Sequence, residues 1–134
     1  LKSKPSESPK EKAIREDLAR FGGTWVFQEL VISGEVISHT GLIGNRMHLK
    51  GDRFDSEAVP RSSTGYIKID PSQTPKTMDI IFLGGDRKGS TLLGIYELSD
   101  SSYRLCTSRP GEPRPTSFES TAENRQAVQI MVRE

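Results

Sequence analysis

Cysteine is almost missing: Cys106 is the only one in 134 residues, so no disulfide can form within the chain and folding does not depend on an oxidising compartment. Long hydrophobic runs are missing too. No stretch approaches the ~20 apolar residues of a bilayer-spanning helix, and none resembles the apolar core of a signal peptide. Because the chain begins at Leu1, an export signal removed upstream would place it in the periplasm or cell envelope. Excess charge of either sign is absent, with 19 Lys plus Arg against 18 Asp plus Glu. The basic residues alternate with acidic ones instead of forming a stripe, which argues against nucleic acid as a partner. His39 and His48 are nine residues apart, a spacing that fits no metal-ligand pattern. No Gly-x-Ser-x-Gly elbow, P-loop or GxGxxG fingerprint occurs. The expectation is a non-catalytic protein with neither metal nor cofactor.

What apolar mass there is, 33% of the chain, comes in short clusters, as in one folded domain with polar margins. Residues 1–7 carry no periodicity and read as a flexible lead, leaving 8–134 as a single domain. Ser8-Pro9-Lys10-Glu11 combines a cap residue, a proline at the first helical position and a Glu three residues after the cap. Ile14, Leu18 and Phe21 follow at helical spacing, and Gly22-Gly23 ends the pattern. This predicts one amphipathic helix over Pro9 to Arg20, either plugging the domain or resting on its surface.

Beyond Thr24 the helical period gives way to β-rich runs separated by Gly, Asp, Asn, Ser and Pro every eight to twelve residues. The runs are Thr24–Ile32, Ile43–Lys50, Arg53–Ala58, Gly65–Asp70, Thr77–Leu83, Ser90–Leu98, Ser102–Thr107, Ser117–Ser120 and Gln126–Arg133. Tight-turn chemistry between most of them makes sequence neighbours hairpin partners. The fold class is therefore all-β, an antiparallel up-and-down barrel of eight or nine strands with one N-terminal helix. Short connections favour it over a two-sheet sandwich. Leu92-Leu93 and Ile80-Ile81-Phe82-Leu83 are apolar on both faces, so something covers the outside there, and the helix is the natural candidate.

Gly23-Thr24-Trp25, a Gly-x-Trp opening the first strand just after a helix, resembles the signature of lipocalins and related calycin barrels. Further along come Ile67-Lys68-Ile69-Asp70-Pro71-Ser72, then Pro75-Lys76-Thr77-Met78-Asp79 and Leu92-Leu93-Gly94-Ile95-Tyr96-Glu97-Leu98. Leu105-Cys106 and Arg114-Pro115-Thr116 with Phe118 complete the series. In that order, from about Leu18 to Glu134, they resemble a lipocalin-like domain family abundant in planctomycetes. The resemblance implies fold and no particular activity. It also implies that Gly23 and Trp25 form a structural signature, with a late-strand Arg, either Arg104 or Arg133, lying across the indole. The threonine-aspartate-tyrosine motif of lipocalins is absent.

Such a barrel implies a binding site in its interior for a small apolar or amphipathic molecule, walled by Tyr66, Met78, Ile80, Phe82, Leu93, Tyr96 and Tyr103. Eight strands enclose a space that side chains fill or one small ligand occupies. A filled interior makes the chain a protein-interaction module that docks through its surface and loops. Asp79 and Glu97 sit in otherwise apolar strands; turned inward with Arg104 or Lys68, they would form a polar floor for a head group, and turned outward they are solvated. Thr107 to Thr116, with three prolines, either folds over the barrel mouth to offer Arg109 and Arg114 to an anion or is a rigid connection with Arg114 pinned to a strand. Cys106 reads as a small core residue.

Overall fold

The computed structural model describes residues 6–37, 43–57 and 62–134. Helix α1 (Pro9–Phe21) begins as its first turn dictates. Ser8 Oγ accepts from the Glu11 N–H at 3.1 Å, and Glu11 Oε1 accepts the Ser8 N–H at 3.2 Å. Two of the helix's orphan donors are thereby satisfied. The helix runs one residue past the expected Arg20, and that residue, Phe21, is completely buried.

Nine strands follow among the described residues: β1 (Gly23–Ile32), β2 (Glu35–Val36), β3 (Arg46–Lys50), β4 (Arg53–Ser56), β5 (Ser63–Asp70), β6 (Lys76–Gly85), β7 (Thr91–Leu98), β8 (Ser102–Thr107) and β9 (Ala127–Arg133). All pairings are antiparallel, and β9 returns to β1 in register from Ala127↔Ile32 to Arg133↔Trp25. This closes an eight-stranded barrel from β1 and β3–β9, with β2 outside it on the far half of β1. The two-residue β2 goes beyond the expected runs. It exists because Ser33 and Gly34 both take positive φ, 52° and 84°, which turns the chain back on β1. Ile43 and Gly44 form a turn ahead of β3 instead of extending it, and Ala58 and His39 lie outside the described residues.

The expected strand over Ser117–Ser120 does not form. Barrel closure is the reason: β1 and β9 pair with each other, so neither offers that segment a free edge. It belongs instead to a long connection, 108–126, laid along the outside of the wall. There Ser108 N–H donates to Leu93 O at 3.0 Å, Cys106 Sγ contacts Gln126 Oε1 at 3.6 Å, and the Arg104 guanidinium lies 4.0 Å from the Phe118 ring centroid. Beneath this connection Ile95 and Cys106, neighbours on the outer face, are almost wholly buried. The outer wall is thus covered by the proline-rich connection and not by the helix, as its two-sided apolar runs had suggested, and Leu83 stays exposed.

The helix plugs one end of the barrel. Phe21 meets Tyr96 and Tyr103 edge-on, with both centroid distances 5.2 Å, and Ile14 and Leu18 pack on the same cluster. Each edge-on aromatic pair contributes about 0.5–1.5 kcal/mol beyond burial. The helix carries one polar residue inward. Asp17, 6% exposed, accepts from Tyr96 Oη at 2.8 Å and Lys76 Nζ at 3.0 Å, with Arg20 3.5 Å away. A buried carboxylate is tolerated when its oxygens are this well occupied.

Asp17→Ala is expected to lower unfolding free energy by about 2–3 kcal/mol, since it strands the Tyr96 hydroxyl and removes a partly exposed ion pair. Tyr96→Phe should cost about 1 kcal/mol. Urea denaturation followed by circular dichroism measures both, and an unchanged midpoint in Asp17→Ala would contradict the role given to Asp17.

Candidate functional site

Strand alternation sorts the expected wall residues into two groups. Met78, Ile80 and Phe82 on β6, Tyr96 on β7 and Tyr103 on β8 project inward and belong to one buried cluster with Trp25, Phe27, Leu49, Phe54, Ile67, Ile69, Leu105 and Met131. Tyr66 and Leu93 do not wall the interior. On β5 the inward row is Gly65, Ile67 and Ile69, so Tyr66 faces out and the Arg53 guanidinium lies 5.5 Å from its ring. On β7 the inward row is Leu92, Gly94, Tyr96 and Leu98, which leaves Leu93 on the outer face.

The interior is filled. Trp25 and Met131 have no accessible surface, Tyr96 has 1%, and Met78, Tyr103 and Leu105 have 3% each. A cavity able to take a ligand would leave accessible surface on the side chains that wall it, and these have almost none. Glycine at position 65 is part of this packing, because a Cβ there would lie 1.9 Å from Ile81 O and 2.9 Å from Phe54 Cε2. Phe54 and Phe82 meet edge-on there at 5.6 Å.

The polar floor does not form inside either. Asp79 lies on the outer face, where Arg114 Nη2 donates to its Oδ1 at 2.6 Å while Arg114 Nη1 donates to Gly94 O at 2.9 Å and Met78 O at 3.4 Å. Arg114 therefore fastens the proline-rich connection to the wall and is not presented over the mouth, while Arg109 is exposed. Arg104 and Glu97 pair at 2.8 Å outside, and Lys68 is exposed. Of the two arginines considered for the indole, Arg133 occupies the position, 4.1 Å from the Trp25 ring centroid. The signature Gly23 takes φ 124° beside it. His48 sits on the outer face of β3 between Thr24 Oγ1, at 3.0 Å from Nδ1, and the Glu57 carboxylate. Among the described residues no group of three or more His, Cys, Asp and Glu is placed to hold a metal, and no helix is long and apolar enough to cross a membrane.

Two recesses among the described residues open on the outside. One of about 800 Å³ runs between the Pro71–Pro75 turn, the ends of β7 and β8, and Thr116–Glu119 of the connection. It mixes Pro71, Pro75, Leu98 and Phe118 with Lys76, Glu97, Arg104 and Glu119. Its turn is held by Asp70, whose carboxyl is drawn down to about 2 by the Ser72 hydroxyl, with further help from the Ser72 N–H, Gln73 and Lys10. A second groove of about 540 Å³ lies at the plugged end, between α1 and the β3–β4 turn. Sequence reasoning passed over Asp17, although an Asp between Ile14 and Leu18 on the apolar stripe marks a buried polar contact. Burial raises both the Tyr96 and Tyr103 phenols, the former helped by Asp17, and lifts the Cys106 thiol to about 11. None of these groups is poised for chemistry near neutral pH. No family model, curated protein or solved structure matches the chain.

Two outcomes follow from this geometry. Cys106 should resist Ellman's reagent at pH 8 in the native protein, and Arg114→Ala, by freeing the connection above it, should raise the labelling rate at least tenfold; equal rates would detach Arg114 from that role. The stability gap between wild type and Asp70→Asn should be constant above about pH 5, where Asp70 is ionised folded and unfolded. It should close as pH falls through about 2, because a depressed carboxyl stabilises only while ionised. Acid titration of the two proteins reads this directly, and a gap that persists below pH 2 contradicts it.

Proposed function

We propose that the chain is a non-catalytic, lipocalin-like binding module with a filled barrel, which docks on a protein partner through its wall and connections. The observation that carries this reading is the inaccessible interior: residues from all eight strands of the wall meet with almost no surface left to water. A carrier of apolar cargo needs that surface open.

The outside offers what docking needs. Its larger groove joins apolar side chains to a charged rim, the composition of a protein-recognition surface. The proline-rich connection that forms one bank is held by Arg114 and Arg104, so little order has to be gained on binding. The lipocalin-like assignment is supported by Gly23 and Trp25 at the plugged end and by Arg133 across the indole.

A filled core and a hollow one respond differently to truncation. Met131→Ala and Leu105→Ala should each cost about 2–5 kcal/mol, as buried large-to-small changes do. Walls of a solvent-filled pocket would tolerate them with little loss. Native mass spectrometry of protein purified from its own host should show the mass of the bare chain or of a complex with a second polypeptide. A reproducible small adduct lost on denaturation, together with indifferent truncations, would overturn the reading.

A further inference from the structure

The outer row of β9 is aliphatic from end to end. Alternation turns Met131 inward, so Val128, Ile130 and Val132 face out, and each keeps part of its surface open to water. The register carries the patch onto β1, where Val26 stands opposite Val132 and Val31 opposite Val128. It ends on β2, where Val36 stands opposite Val31 and is 66% exposed. On the other side of β1 the outer row of β3 is Arg46, His48 and Lys50, the polar composition usual for an outer wall. Aliphatic rows left on such a wall mark a contact surface. Charge crosses the patch once, where Ile130 lies between Glu29 on β1 and Arg104 on β8. Glu29 is exposed and enters no ion pair among the described residues. Arg104 gives Glu97 one bond from Nη2 and has four further N–H hydrogens to offer.

From this pattern we propose that the outer face of β9 and β1 binds a second copy of the chain, about a twofold axis parallel to β9. Such an axis lays Val128, Ile130 and Val132 of one copy on the same residues of the other and exchanges left for right. Each Glu29 then faces the other copy's Arg104. A twofold axis across the strands would oppose Glu29 to Glu29 and Arg104 to Arg104, so charge selects the first arrangement. Shape agrees with it. Ser102, opposite Val132 on β8, borders a recess of about 370 Å³ that Leu98, Arg104 and Ile130 also line, and the same axis brings Val26 of the other copy over Ser102. Two convex barrels touching along β9 diverge on either side. The connection 108–126 lies in that wedge, where Val31 and Val36 of the second copy arrive. The face is small: β9 and its two neighbours span only ~14 Å by ~23 Å, well short of the ~800 Å² per partner of a standard interface. The dimer is accordingly weak, with a dissociation constant on the order of 100 µM. It lies across Arg104 from the larger groove, so its loss leaves docking there untouched.

Sedimentation equilibrium between ~10 µM and ~1 mM should show monomer giving way to dimer. The ¹H–¹⁵N shifts that accompany concentration should fall on Val26 to Val31 and Val128 to Val132. Ile130→Lys, at an outer position, should keep a dispersed spectrum and abolish association. Glu29→Arg should weaken it at least tenfold, because two like-charge oppositions replace two ion pairs. Adding Arg104→Glu to that variant should restore it. A chain that stays monomeric to ~1 mM overturns the dimer and leaves the docking reading to the groove. So does a dimer whose shifts fall on other strands, or one that Glu29→Arg leaves unchanged.

Discussion

The architecture depends on one arginine. Arg133, at the end of the last strand, lies over Trp25 at the start of the first and turns its remaining hydrogens to backbone carbonyls. Nη1 donates to Gly22 O at 2.9 Å, Nη2 to Arg20 O at 2.5 Å and Nε to Asp100 O at 2.9 Å. Trp25 Nε1 in turn donates to Phe21 O at 2.8 Å. The last carbonyls of a helix have no partners within it, and the helix dipole makes that end negative, so a guanidinium there is doubly suited. The same group contributes about 0.5–2 kcal/mol on the indole. One side chain therefore joins the strand that closes the barrel, the strand that opens it and the helix that plugs it.

Closure and plugging together fill the interior and leave the outer wall as the surface open to other molecules. With β1 paired to β9, the short β2 alone among the described strands remains beyond the closed ring. With Phe21 driven against Tyr96 and Tyr103, the plugged end is occupied by rings that fill the volume a ligand would otherwise take. On the docking reading proposed above, recognition falls to the outer wall. There the connection 108–126 adds a second layer and builds the bank of a groove that bare strands would not form. Arg114 matters in this layer because the Gly94 and Met78 carbonyls and the Asp79 carboxylate give its fork a fixed place on the outer face of the sheet.

The helix and the strand succession were legible in the sequence because both are marked by local chemistry: the capping box at Ser8–Glu11, the two glycines after Phe21 and the turn residues between strands. Facing was less legible. Tyr66 and Leu93 look like wall residues because glycine occupies the inward position next to each, Gly65 and Gly94, and a missing side chain disguises the phase of the strand. The segment Ser117–Ser120 has the look of a strand, but strand formation needs a free edge, which is a property of the closed sheet and not of four residues. Arg133 and Arg104 could not be separated by spacing, since which late-strand arginine reaches Trp25 depends on the β1–β9 register. The grooves were invisible for the same reason, as each is built from elements far apart in the chain. Asp17 was missed although its place on the helix's apolar stripe was a local signal of a buried partner, found on β6 and β7.

The central claim is that the interior is full, and xenon tests it most directly. Xenon enters apolar cavities too dry to hold ordered water. Methyl ¹³C spectra recorded under increasing xenon pressure report its arrival at Ile67, Ile69, Leu105 and Met131, which line the middle of the barrel. A filled barrel predicts small, linear shifts at these methyls with no saturation. Saturable shifts converging on them would reveal a hollow interior and contradict the claim that this protein works from its outer wall.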